Sequence, residues 1–191
     1  MDKTTKYIVA VAGVVILIVI GLFFTFGRNP NTKDKDIAPS KTSNLAQYAP
    51  RDSFVTMTKE GDIVGDDKHR AVRITVTPTE RRIDILAGYD GFVERSQTFD
   101  NTQAAYAEFL NALERAGFAR KQTPRYKKPD GVCPLGKRYY YELDNNGDKL
   151  IDTWSASCGK AYGDFGGTRT VRKLFEMQIT DYGKFVRGVR L

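Results

Sequence analysis

One histidine, two cysteines and one tryptophan in 191 residues leave few handles for chemistry. With a single histidine, His69, no histidine-rich metal centre can form, and a Ser-His or Cys-His catalyst has only one candidate base. That residue stands in GDDKHRA, which reads as a polar turn with the imidazole exposed. No G-x-S-x-G elbow, phosphate loop or H-E-x-x-H occurs. The glycine-rich GDFGGTR lacks the lysine and the strand–helix setting of a phosphate cradle, and reads as a loop before a helix. Acids are paired at Asp66 with Asp67 and at Glu142 with Asp152, but two carboxylates without a cleft do not make a glycosidase. The sequence therefore predicts no catalytic residue, no cofactor and no metal, and it points away from an enzyme.

Long apolar runs are also scarce: there is one. YIVAVAGVVILIVIGLFFTF, Tyr7 to Phe26, carries no charge and is long enough to cross a hydrocarbon core. It exceeds the usual apolar region of a cleaved signal peptide, and no A-x-A-like site follows it. It also lacks the glutamate that opens the apolar helix of a type IV pilin. The expectation is an uncleaved anchor. Lys3 and Lys6 before it and Arg28, Lys33, Lys35 and Lys41 after it do not decide orientation. The very short leading tail and the cysteines argue for a cytoplasmic N-terminus. The expected layout is a tail over 1–6, a transmembrane helix over 7–26, a flexible stalk over the polar, proline-spaced 27–50, and an extracytoplasmic domain over 51–191.

The domain reads as α+β. AVRITVTP and RRIDIL alternate with period two, as half-buried strands do. Asp90-Gly91 is a two-residue hairpin signal leading into a third strand over Phe92 to Thr98, and Phe54 to Met57 is a candidate edge strand. Tyr106, Phe109, Leu110 and Leu113 then fall at helical spacing. Asp100 with Gln103 predicts a capping box, and Gly117 the helix end. KRYYYELD and KLIDTWSAS read as strands, and TVRKLFEMQI as a second helix. A short final strand is a further candidate. The order is β-β-β-α-β-β-α, an antiparallel sheet covered on one face by two helices.

YELDNNGDKLIDTW supports two readings. Asp144, Asn146, Asp148 and Asp152 occupy positions 1, 3, 5 and 9 of a calcium loop. That loop needs glycine at position 6 and glutamate at position 12, where Lys149 and Ser155 stand. Asn146-Gly147 instead favours a type I′ hairpin corner. If Asn145 faces Asp148, Cys133 and Cys158 lie at the open end of the hairpin, about one diagonal step from facing each other. This is compatible with a disulfide; two free buried thiols are the alternative.

The charge balance is basic, at +7. Arg115, Arg120, Lys121, Arg125, Lys127, Lys128, Lys137 and Arg138 crowd one segment, opposed only by Asp130 and interleaved with tyrosines. Of these, Arg120, Lys121, Arg125, Lys127, Lys128, Lys137 and Arg138 form a candidate surface for anionic polymers or nucleic acid, with an ordinary solvated surface as the alternative.

The segments GVCPLGKRYYYEL, WSASCG and FGGTRTVRKLFEMQITDY, together with FLNALERAGF, resemble membrane-anchored, single-pass exported proteins of small-genome candidate-phylum bacteria. The resemblance implies an envelope setting and a cysteine pair, and nothing catalytic. The expected function is an envelope-anchored binding or interaction module, with envelope proteins or anionic polymers as partners. Surface capture of polyanions or nucleic acid is the alternative.

Overall fold

The computed structural model describes residues 44–159, 162–165 and 168–191. The apolar run 7–26, most of the expected stalk and their orientation lie outside the described residues. Among the described residues no helix is long and apolar enough to cross a membrane.

The domain is α+β, built on a six-stranded antiparallel sheet. Its strands are β1 (Ser53–Glu60), β2 (Arg70–Val76), β3 (Glu80–Ala87), β4 (Phe92–Asp100), β5 (Arg138–Asn145) and β6 (Asp148–Ala156). Their spatial order is β4-β3-β2-β1-β5-β6. Helix α1 (Gln103–Arg115) joins β4 to β5, and α2 (Thr168–Glu176) and α3 (Tyr182–Phe185) follow β6. The segment expected as an edge strand is thus part of β1, at the sheet's centre, bonded to β2 on one side and β5 on the other. In place of the expected short C-terminal strand, α3, a turn and an irregular tail stand there.

Strand pairing sorts the side chains onto two faces. Val55 and Met57 of β1 share a face with Val76 and Ile74 of β2, Ile83 of β3, and Leu143 and Tyr141 of β5. These residues are buried and join Tyr106, Phe109, Leu110 and Leu113 of α1 and Val171 and Phe175 of α2 in one core. Phe109 meets Phe175 edge-on, with ring centroids 5.2 Å apart. The opposite face carries polar pairs. Asp84, 1 % exposed, is held by Arg73, Arg82 and Ser96. The Val132, Cys133 and Trp154 cluster, with Tyr140 packed against it, forms a second small core.

The folded part begins earlier than expected. Leu45–Tyr48 forms a 3-10 turn, Leu45 and Ala49 are buried in the main core, and the Leu45 amide donates to Glu114 of α1. Residues 44–50, assigned to the stalk on composition, therefore pack on the domain. Helix α1 is capped by Thr102, whose hydroxyl accepts the Ala105 amide. Asp100 cannot serve, because it pairs with Glu80 as the last residue of β4. Gly117, at φ +83°, does end the helix: the Phe118 and Gly117 amides donate to the Leu113 and Glu114 carbonyls. The β3–β4 turn spans Gly88 to Gly91 rather than two residues, since Ala87 pairs with Phe92.

The 144–148 corner is a hairpin. Asn145 pairs with Asp148, and Asn146 and Gly147 have φ of +55° and +88°, as a type I′ turn requires. Asp144 accepts the Gly147 amide at 2.8 Å. Gly147→Ala should cost about 1 kcal/mol, because a Cβ at this φ is strained. Asp144→Asn, which keeps an acceptor for that amide, should be nearly silent. Melting curves in millimolar calcium and in chelator should overlay; a calcium-dependent rise lost in Asp144→Asn would make the corner a metal loop.

Candidate binding site

The antiparallel order sends the connections to two ends of the sheet, and the ends differ. One end carries short links: 77–79, 101–102 and the Asn146-Gly147 corner. The other carries the 61–69 loop, the Gly88–Gly91 turn and the long 116–137 segment, and β6 also finishes there. Long loops on a rigid sheet are the usual carriers of binding residues.

The longest loop is tied at both ends. Near its start, Lys121 bridges Phe165, and the Gln122 amide donates to the Asp164 carbonyl at 2.8 Å. Residues 162–165 are in turn fastened to β6: the Trp154 amide donates to Asp164, the Phe165 amide to the Trp154 carbonyl, and the Ala156 amide to the Tyr162 carbonyl. Near its finish, Cys133 and Cys158 form a disulfide with Cα atoms 5.8 Å apart. A bulge shifts the β5–β6 register between Leu143 and Asp144. Carrying the corner's pairing straight back along both strands therefore misplaces the open end by one residue. The bridge still closes, with Cys133 in the left-handed region at φ +58°.

Between these anchors the tip is basic. Arg120, Lys121, Arg125, Lys127 and Lys128 are exposed, and none has a carboxylate partner among the described residues. The Arg125 guanidinium lies 5.8 Å from the Tyr126 ring centroid and 5.9 Å from that of Tyr162, and the two rings are 5.2 Å apart. Lys137 is half-buried, and its amide donates to the Ser157 hydroxyl. Arg138 does not join the exposed group. It is 3 % exposed, with Nε on Glu60 at 3.1 Å and Nη2 on the Gly61 carbonyl at 3.1 Å. The sequence placed it in a solvated cluster because its partner lies far away along the chain.

His69 is likewise not an exposed loop histidine. It is 2 % exposed and stacks on Tyr89, with ring centroids 3.9 Å apart. Loss of hydration holds its pKa below the ordinary value, against the raising influence of Glu60. Tyr89 straps the 61–69 loop to the β3–β4 turn. Its hydroxyl donates to the Val64 carbonyl and accepts the Val64 amide, while its own amide donates to Asp66. The aromatic at 89 next to a turn glycine was the available signal for this strap.

Beside that loop lies a cleft of about 890 Å³, bounded by Gly61–Arg70, the adjoining ends of β3 and β4, and the segment 187–191. No group of three or more metal-ligating side chains occurs among the described residues. No family model matches the chain, and no curated protein matches it.

Proposed function

We propose that the chain is a membrane-anchored envelope protein whose α+β domain stands outside the cytoplasm and binds a partner through the loop-rich end of its sheet. The observation that carries this reading is the Cys133–Cys158 disulfide bracing the long loop at that end. Disulfides persist in oxidising compartments, and this one fixes a binding loop rather than the main core. The uncharged run 7–26 supplies the anchor in this reading. A membrane-impermeant maleimide should label a cysteine introduced at Lys127 in intact cells. Labelling only after permeabilisation would overturn both the compartment and the envelope role.

A second reading, capture of anionic polymers such as nucleic acid, is favoured by the exposed cations at 120–128, which have no carboxylate partner among the described residues. Binding of a short single-stranded oligonucleotide should weaken steeply between about 50 and 200 mM salt. Reversing Arg125, Lys127 and Lys128 to glutamate should abolish it. The melting temperature should barely move, because exposed charges contribute little to folding. No binding by the wild type at low salt would end this reading and leave a protein–protein module.

A further inference from the structure

We propose that the cleft beside the 61–69 loop binds a small phosphate-bearing ligand with a short apolar portion, at a site separate from the basic tip. Its volume, about 890 Å³, suits a small molecule. Ile85, Val64 and Val189, among its lining residues, supply apolar contact.

The charges around it are arranged unequally. Arg70 is already committed: Nε meets Glu94 at 2.8 Å, and Nη1 donates to the Asp67 and His69 carbonyls. The β4 bulge opposite Ile85 and Leu86 leaves Glu94 outside the regular pairing, free to make that contact. Lys68, Arg95, Arg187 and Arg190 also line the cleft, and none has a carboxylate partner among the described residues. The Arg95 guanidinium lies over the Phe185 ring at 4.9 Å, which orients it and leaves its in-plane N–H donors available. Asp62 and Asp67 line the loop side and form no ion pair among the described residues. They repel an anion there and favour the side of Arg95, Arg187 and Arg190. Three guanidiniums around one volume exceed what a single carboxylate needs, and they match the several acceptor oxygens of a phosphate.

The walls are built for permanence. Tyr89 holds the loop as described above. The segment 187–191 rests on the core through Val189 and Leu191. Gly61 permits this, since a Cβ there would run into the Leu191 backbone.

The site rests on the binding-module reading only in sharing the loop-rich end, and the test separates the two. The full chain in a neutral detergent is titrated calorimetrically with inorganic phosphate, butyl phosphate and dihexanoyl phosphatidic acid. Butyl phosphate should bind at one site and more tightly than inorganic phosphate. Arg187→Gln with Arg190→Gln should weaken it by about tenfold or more, and so should Arg95→Gln. Reversal of Arg125, Lys127 and Lys128 should change it by less than about twofold while removing oligonucleotide binding. The difference between the cleft and tip variants in butyl phosphate binding is read whether or not the oligonucleotide reading holds. Tighter binding of the phosphatidic acid than of butyl phosphate assigns the phosphate to a lipid headgroup, and the reverse assigns it to a soluble ester. No saturable heat at about 10 mM of any of the three ligands, or loss in the tip variant with retention in the Arg187/Arg190 variant, would overturn the proposal.

Discussion

Replacing Cys133 and Cys158 by serine is expected to lower stability by about 3 kcal/mol and the melting temperature by roughly 10 °C. The bridge spans 25 residues, and opening it returns that loop's freedom to the unfolded chain. In the native state the loss should also be local. Val132 and Trp154 are buried around the bridge in a small core with few other members, so the 123–137 stretch loses its seat. Hydrogen exchange should quicken first in that stretch, while β1 and β2 stay protected. Urea melts with and without reductant check the magnitude. Superimposable curves would mean that the bridge is incidental to folding.

Arg138→Ala is expected to cost about 3 kcal/mol, at the low end for breaking a buried ion pair because Glu60 keeps some solvent. The arginine side chain is 4 % exposed and that of Glu60 23 %. Tyr140 donates to the same Glu60 oxygen that takes the guanidinium, so the loss leaves a half-satisfied carboxylate between β1 and β5. Lys127→Ala and Lys128→Ala, in the exposed tip, should each stay within about 0.5 kcal/mol. A double-mutant cycle with Glu60→Gln should show clear coupling. If Arg138→Ala costs no more than Lys127→Ala, the residue belongs with the solvated cluster after all.

What the sequence revealed and what it hid divide along contact range. Helix α1 was legible because its four core residues repeat at helical spacing, and Gly117 marks its end by a local backbone need. The β5–β6 corner was legible because Asn-Gly specifies its own turn. The cap at Thr102 was missed because Asp100 is claimed by pairing with Glu80, and nothing near Asp100 announces that β4 runs so far. The central place of β1 was hidden for the same reason: its second neighbour, β5, lies beyond β4, α1 and the long loop. Site residues fared likewise. The exposed tip at 120–128 is a run of neighbours and could be read directly. His69, Arg138 and Arg95 acquire their surroundings from Tyr89, Glu60 and Phe185, each distant in the chain.

The two margins of the sheet are unequal. At β6 the residues Trp154 to Ala156 already bond to the 162–165 stretch. At β4, among the described residues, no backbone hydrogen bond beyond the β3 pairing involves Phe92 to Phe99, and Phe92 is 74 % exposed. Bare strand margins invite other strands. A molecule bare on both sides can add copies without limit, as a fibre does. Here β6 is covered only over Trp154 to Ala156, so both margins keep open backbone, and β4 offers a further strand the longer stretch to pair with.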